Sequence, residues 1–388
     1  MTLHLSKRSI ILFLLLIPVF LPISVDYFTT SFHFYRLATY VSIVVVAVRF
    51  VLNKQAPSLL TLIAISMQAW IFLATARGGG DTSTALMSLL RLSIVCLVFD
   101  VYRDSLTTLI RVLMLHCEIC VYGNFLTLLI APEGLYSRSV SAYGVSQEWF
   151  LGVDNYFVQW LFPALVIAWV YNTYFTKESR GMVLSIVTLL TEFMHGSATG
   201  IVGVTLFLIL MVVPKAGYFF TPIRSIVIAS SVWLLIVIFR IVNIFAPIVL
   251  KLGKNLTFSG RLAIWDNAII AISHNPVFGY GVLTNDEMVQ YLGLSSNGLW
   301  TGATHCHNQI LQIAFQGGLI ALLLFLTVIV LILKKSINNW PSKQSQIASY
   351  AISAYIIMCT TEIFIFPVMF VIFPLMYLVL SREEKGVE

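Results

Sequence analysis

The sequence has little charge. Only 10% of its 388 residues are Asp, Glu, Lys or Arg, whereas a soluble domain carries about 25%. In contrast, 59% of the residues are hydrophobic, and the mean hydropathy is +0.92. Because so few charges cannot cover a surface that faces water, the composition excludes an ordinary soluble enzyme. It indicates a chain whose main solvent is lipid.

Cysteine is also scarce. The five cysteines are scattered, and four of them lie in apolar stretches, where Cys behaves as a small hydrophobic residue. A disulfide framework is therefore not expected. The net charge of +6 is spread over the connections between apolar segments. This distribution favours a signal of membrane orientation over the binding of nucleic acid, which we do not expect.

Twelve apolar segments have about the length needed to cross a hydrocarbon core, which takes roughly 20 residues. We therefore predict an all-α polytopic membrane protein with about twelve transmembrane helices in a single transmembrane domain, residues 1–388. The predicted spans are Ser9–Val25, Leu37–Leu52, Ser58–Ala76, Thr84–Val101, Leu106–Ala131, Tyr156–Phe175, Met182–His195, Thr199–Val213, Arg224–Pro247, Asn308–Leu333, Ile347–Phe364 and Phe366–Leu380.

Two pairs of segments leave an alternative open. Met182–His195 and Thr199–Val213 are short and could form a re-entrant hairpin. The stretch 347–380 contains Glu362 and Pro367 near its middle and could be broken. Within the spans, Arg91 and Glu118 lie at similar depth, and we expect them to pair, because charged groups in hydrocarbon usually face one another.

The distribution of Lys and Arg predicts the orientation. Alternate connections are rich in these residues, which is typical of the cytoplasmic side. Both termini are then cytoplasmic in a multi-pass protein of the plasma membrane, with an uncleaved first span. Two long connections, Pro132–Asn155 and Ile248–His307, face outwards. Since long loops often carry function, we expect the functional groups there.

The second outer loop, 248–307, concentrates groups that can handle an anion or a proton. Arg261 begins a predicted helix, where a guanidinium lies beside the positive helix terminus and suits a phosphate or pyrophosphate. The alternative is an arginine that contacts lipid headgroups. His305-Cys306-His307 precedes the next span; its histidines suit proton transfer, with metal binding as the alternative.

Polar residues continue into the span that follows. Asn308, Gln312 and Gln316 recur every four residues, so that one stripe of this helix is polar and needs a partner or a water-filled cavity. The first outer loop mixes Arg138 and Asp154 with aromatic residues. These aromatic rings could stack on sugars or form an ordinary interfacial belt.

Five short motifs follow one another along residues 259–324, namely Gly260-Arg261 through Trp265, Asn275-Pro276, Gly279-Tyr-Gly281, His307-Asn308 and Gly317-Gly318. This ordered set resembles the signature of the O-antigen ligase and polysaccharide polymerase superfamily. A second stretch, 149–155 (WFLGVDN), resembles capsular and exopolysaccharide polymerases.

The resemblance implies a GT-C-like fold and a glycan donor carried on undecaprenyl pyrophosphate. It implies transfer of the glycan at the outer face of the plasma membrane without a metal ion or other cofactor. In this family's pattern Arg261 holds the pyrophosphate and His307 is the base for the acceptor hydroxyl. The predicted substrate-binding residues are Arg138, Arg77, Trp265, Asn308, Gln312 and Asp154.

The chain departs from the pattern at one place. Ligases of the family carry a second arginine after the seventh span, whereas the connection here is His195-Gly-Ser-Ala-Thr199. Arg77 or Arg138 could replace that arginine, or the mechanism could rely more on Arg261. The departure favours a polymerase of capsule, exopolysaccharide or O-antigen over an O-antigen ligase with a lipid A-core acceptor.

A transporter, such as a flippase for the lipid-linked glycan, is the alternative of a different class. Transporters of this size tend to have internal repeats and a substrate site near the membrane midplane. No repeat is evident here, and the polar groups cluster outside the membrane. A polymerase would work with a chain-length regulator and a separate flippase as partners.

Overall fold

The computed structural model describes residues 6–29, 32–140, 144–241, 260–293 and 302–384. The described chain is predominantly α-helical, as predicted. Its α-helices are α1 (Lys7–Phe20), α2 (Ile23–Thr29), α3 (Phe32–Leu52), α4 (Leu59–Gly78), α5 (Thr82–Val101), α6 (Leu106–Ile130), α7 (Val158–Tyr174), α8 (Arg180–His195), α9 (Ala198–Val212), α10 (Ala216–Phe219), α11 (Pro222–Val237), α12 (Arg261–His274), α13 (Asn285–Leu292), α14 (Gln309–Asn338), α15 (Lys343–Met358), α16 (Pro367–Phe370) and α17 (Ile372–Glu383).

Five helical segments of the described chain are long and apolar enough to cross a membrane, namely Phe34–Leu52, Leu59–Gly78, Thr82–Val101, Arg103–Ile130 and Gln309–Asn338. The segments Ala198–Val212 and Pro222–Val237 are apolar but shorter. The prediction of an all-α, multi-pass membrane protein is therefore confirmed. The count of twelve spans and the orientation of the termini stay predictions.

The first of the two long connections, residues 132–155, contains a β-hairpin that the sequence did not predict. Strand β1 (Tyr136–Val140) pairs antiparallel with β2 (Gly144–Glu148), and Arg138 lies opposite Ser146. The base of the hairpin is fixed because the indole of Trp149 donates to the carbonyl of Ala131 at 2.8 Å. The hairpin therefore holds the side chains of β1 and β2 in a defined place.

The segment 347–380 is broken, which was the alternative left open above. Helix α15 ends at Met358, not at Phe364, and residues 359–366 are not helical. Buried backbone amides in this break find side-chain partners: the carboxamide oxygen of Gln159 accepts from Ile365 at 2.9 Å and from Phe366 at 3.0 Å. The break is thus a built feature that places Glu362 outside a helix.

The expected pair of Arg91 and Glu118 is wrong. Glu118 accepts instead from Arg180, with 3.0 Å between Nε and Oε1. The guanidinium of Arg91 lies over the ring of Tyr35, 3.9 Å from its centroid. Depth alone could not tell which helices are neighbours.

Helix α14 is kinked at Gly318, whose backbone is far from helical (φ 63°, ψ −164°). A kink frees carbonyl groups, and unpaired carbonyls are costly at membrane depth. Tyr280 and Gly281 donate their backbone N–H groups to the carbonyls of Phe315 and Gln316, both at 2.8 Å. The indole of Trp70 donates to Gly317 at 2.9 Å. The loop after α12 therefore caps the kink of α14.

Two glycines permit this contact. A Cβ on Gly279 would lie 2.5 Å from the carbonyl oxygen of Phe315, and one on Gly318 would lie 2.2 Å from that of Val277. Both glycines also have positive φ, which other residues rarely adopt. The two glycine motifs of the superfamily signature thus meet each other in space, and their shared role is to join α12 to α14.

We expect Gly279→Ala and Gly318→Ala each to destabilise the protein by more than about 1 kcal/mol, since each adds a clash to an unfavourable backbone conformation. Thermal unfolding of the purified protein in detergent would measure the loss. Gly79→Ala is a suitable control, because this glycine also has positive φ (74°) but a Cβ there would meet nothing within 4 Å. Equal effects at all three positions would contradict the close-contact explanation.

Candidate active site

A cavity of about 780 Å³ lies between the β-hairpin, α5, the start of α12, the loop before α14 and the break after α15. We call it the arginine cavity. Three arginines and two glutamates line it, which leaves one net positive charge when the histidines are neutral. Its charged, histidine and tyrosine lining residues are Tyr35, Arg91, Arg138, Glu148, Tyr156, Arg261, His305, His307 and Glu362.

Arg261 is the first residue of α12, as predicted from the sequence, and follows Gly260 in a left-handed conformation (φ 85°). Its Nη2 lies 3.0 Å from Oε1 of Glu362, in the break after α15. The two side chains are 22% and 12% exposed, so that their ion pair is largely shielded from solvent. Arg261 lines the cavity, and Trp265, one turn further along α12, is completely buried and anchors the helix in a hydrophobic cluster.

His307 reaches the cavity from the loop just before α14. Its backbone has a φ of 45°, a conformation that costs a residue with a side chain about 1–2 kcal/mol. The flanking residues hold it there. The carboxamide oxygen of Gln312 accepts from the N–H of Cys306 at 2.9 Å, and Asn308 caps α14 by accepting from Leu311 at 3.0 Å. Strained backbone of this kind concentrates at functional sites.

The two histidines are adjacent, with ring centroids 3.9 Å apart. Burial, together with the positive charge of Arg261, lowers the pKa of His305 to about 4. Burial, followed by the neighbouring His305 and Arg261, lowers the pKa of His307 to about 3. Both rings are therefore neutral near pH 7, which is the state that can accept a proton. The same low pKa makes His307 a weak base while the cavity is empty.

Arg138 comes from the hairpin and lies 3.3 Å from Glu148, measured from Nε to Oε1. Its side chain is 45% exposed, whereas that of Glu148 is nearly buried. The two residues share a face of the hairpin because Glu148 lies two residues beyond Ser146, the partner of Arg138 across the strands. The hairpin thus brings a second arginine to the cavity that contains Arg261.

The other predicted site residues do not line this cavity. Trp265 and Asn308 are fully buried, and Asn308 also donates to the carbonyl of Thr360 at 3.0 Å. Gln312 contributes to the loop contact described above and lines a neighbouring cavity. Arg77 lies 4.1 Å from the ring centroid of Phe278. Asp154 begins a short 3₁₀ turn. A role of these five residues in substrate binding stays a prediction.

Several cavity residues were absent from the predicted site. Arg91 and Glu362 were recognised as ionisable groups within apolar segments but were given no chemical role. Their cost in hydrocarbon was the signal that could have marked them. Glu148 and Tyr156 were not selected, and the hairpin that positions Glu148 beside Arg138 was not predicted.

The described residues contain no group of three His, Cys, Asp or Glu side chains arranged to hold a metal ion. Cys306, the middle residue of the His-Cys-His motif, points away from the histidines into a hydrophobic cluster with Trp265 and Phe315. The absence of a metal from the reaction stays a prediction.

Comparison with known proteins yields one family and two relatives. Residues 181–326 match a family described as O-antigen ligase, and this range includes both Arg261 and His307. A protein of Rickettsia felis described as "Putative polysaccharide ligase" is 39% identical over 106 residues. A protein of Rickettsia conorii with a similar description is 37% identical over 106 residues. Each alignment covers 25% of this chain and 25% of the relative.

The strained backbone of His307 leads to a prediction about stability. His307→Gly should be more stable than His307→Ala by about 1 kcal/mol, because glycine adopts positive φ without penalty whereas alanine does not. Both variants lack the imidazole, so that the comparison isolates the backbone. Thermal unfolding of the purified variants would measure the difference. An alanine variant as stable as the glycine variant would show that position 307 is not strained.

Proposed function

We propose that the protein is a polysaccharide polymerase of the O-antigen ligase and polysaccharide polymerase superfamily. The match of residues 181–326 to a family described as O-antigen ligase supports this proposal. In this proposal it transfers a growing glycan from undecaprenyl pyrophosphate to the next lipid-linked repeat unit at the outer face of the plasma membrane. The main observation in support is the arginine cavity, in which Arg261, His307 and Arg138 meet although they lie far apart in the sequence.

The proposed reaction needs two groups from the protein. The acceptor hydroxyl attacks the anomeric carbon of the donor sugar and gives its proton to His307 as the new glycosidic bond forms. The bond between that carbon and the pyrophosphate oxygen breaks, and the pyrophosphate leaves with an additional negative charge. Arg261 offsets this charge, which is the kind of electrostatic contribution that commonly accelerates group transfer most.

Arg261 is paired with Glu362, so that a ligand must compete for it. A pyrophosphate carries more negative charge than one carboxylate and can contact more than one arginine. Arg138 and Arg91 line the same cavity and supply that additional charge. We propose that Arg138 replaces the second arginine of the ligases. Arg138 lies on the hairpin and lines the cavity, whereas Arg77 does not line it.

Pyrophosphate binding would also strengthen His307 as a base. The positive charge of Arg261 is one cause of the low pKa of this histidine. An anion bound to Arg261 offsets that charge and adds negative charge beside the ring, which favours the protonated form. His307 would therefore become basic when the donor is in place.

An O-antigen ligase is the second candidate function. It is favoured by the description of the matching family and by the names of both Rickettsia relatives. The two functions differ in the acceptor, which is a lipid-linked repeat unit for a polymerase and lipid A-core for a ligase. Polymer that remains on undecaprenyl pyrophosphate would support the polymerase, and its transfer to lipid A-core would support the ligase.

Arg261→Ala should abolish polymer, while the protein remains at its normal level in the membrane. Arg261→Lys should restore little, because a single ammonium does not reproduce the two-pronged guanidinium. Loss of one donor aimed at developing charge typically costs about 10²–10³ in rate. Arg224→Ala is the control, since Arg224 lies at the start of α11, away from the cavity lining. Full activity of the lysine variant would show that only net charge matters.

The change in basicity of His307 predicts a difference between two pH profiles. His307 must be neutral to accept a proton, so the rate falls as the pH drops through its pKa. The value of kcat/KM, which reports the free enzyme, should decrease near pH 3, the low pKa of His307. For kcat, which reports the bound complex, the decrease should come at higher pH. Coincident profiles would contradict activation by the donor, and normal polymer from His307→Ala would remove this residue from the chemistry.

A further inference from the structure

A second cavity of about 410 Å³ adjoins the arginine cavity, and Arg91, His305 and Phe366 line both. It lies between α4, α5, the outer half of α14 and the break after α15. Its lining is rich in side chains that have an amide or a hydroxyl group. We call it the amide cavity; these residues are Gln68, Thr84, Ser88, Thr304, Gln309, Gln312 and Gln316.

The polar groups of the lining carry little charge. Arg91 is the one charged side chain among the described residues that line it, and no carboxylate does. A carboxamide both donates and accepts hydrogen bonds, as a sugar hydroxyl does. The side chains of Phe364, Phe366 and Phe370 add apolar faces to the same wall. This combination suits a neutral ligand that has hydroxyl groups and apolar ring faces.

The requirements of folding do not explain all of these amides. Gln312 has a structural contact to the backbone of Cys306. In contrast, the carboxamides of Gln68 and Gln316 make no hydrogen bond to any other described residue, although both lie on long apolar helices. Such groups are costly there unless a partner or water reaches them. Both face the cavity, so a ligand in it would supply the missing partner.

We propose that the amide cavity is the subsite for the neutral sugar residues of the acceptor glycan. This inference rests on the proposed function, in which a donor pyrophosphate occupies the arginine cavity. The first donor sugar is bonded to that pyrophosphate and stays beside it. The acceptor therefore needs a separate place that opens onto the same reaction centre. His305 lines both cavities and its ring lies beside that of His307, so the amide cavity adjoins the proposed reaction centre.

Site-directed labelling would test the assignment with a matched pair of variants. Ser88 lines the amide cavity and Ser146 lines the arginine cavity, and cysteine is nearly the same size as serine. Ser88→Cys and Ser146→Cys would each be made in the full chain without its five native cysteines. A maleimide would be applied to the purified protein in detergent, alone or with one of three probes. These probes are inorganic pyrophosphate, a phosphate-free oligosaccharide released from the cell's own repeat unit, and a short prenol.

We expect the oligosaccharide to slow labelling at Ser88→Cys at least several-fold and to leave Ser146→Cys unchanged. Pyrophosphate should slow labelling at Ser146→Cys and not at Ser88→Cys. Adding Gln316→Leu should remove the protection of Ser88→Cys by the oligosaccharide. Gln346→Leu should leave this protection intact. Gln346 donates to the carbonyl of Pro341 at the N-terminal end of α15, whereas the cavity lies beside the break that follows the C-terminal end of this helix.

The two proposals can fail separately. Protection of Ser146→Cys alone by the oligosaccharide, or of Ser88→Cys by a short prenol and not by the oligosaccharide, would overturn the sugar subsite. The prenol result would assign the amide cavity to the lipid chain. Failure of pyrophosphate to protect Ser146→Cys would instead count against the proposed function, whatever the oligosaccharide does at Ser88→Cys.

Discussion

Every backbone polar group at membrane depth needs a hydrogen-bond partner, and this requirement governs the structure around the cavities. Helices satisfy it within themselves, but the chain departs from a regular helix at Gly318 and again over residues 359–366. At the first point the partners come from the loop after α12 and from Trp70. At the second they come from the buried carboxamides of Gln159 and Gln309, which accept from the backbone of the break.

These partners also position the candidate site. The loop that caps the kink at Gly318 directly follows α12, and α12 begins with Arg261. The break after α15 carries Glu362, the ion-pair partner of Arg261, and its carbonyl at Thr360 accepts from Asn308, next to His307. Two irregular segments of backbone are thus tied to each other through the groups that surround the cavity. A substitution that disturbs either tie should move Arg261 relative to His307.

The sequence predicted the features that depend on local patterns of residues. Apolar runs predicted the helices, and the start of α12 at Arg261 followed from its place before a helical pattern. Contacts between distant segments were harder. The partner of Glu118 was assigned wrongly because depth does not specify which helices are neighbours, and the hairpin was missed because its strands are short and polar. Asn308 and Gln312, which were predicted to bind substrate, contact backbone groups in the structure, and Trp265 is buried in a hydrophobic cluster. Their role in substrate binding stays a prediction.

The connection between α8 and α9 lacks the second arginine of the ligases. This absence is easier to understand from the positions of the other arginines in the structure than from the sequence. What a pyrophosphate requires is positive charge at a given point, and the chain can bring that charge from any element whose side chains reach it. Here Arg138 lies on a hairpin and Arg91 on α5, and the three arginines and two glutamates that line the cavity give it a net positive charge of one. A site balanced in this way avoids concentrated repulsion among its arginines and still favours a ligand with two or more negative charges. Loss of an arginine from one loop is therefore compatible with the same chemistry, provided that another segment delivers its replacement to the cavity.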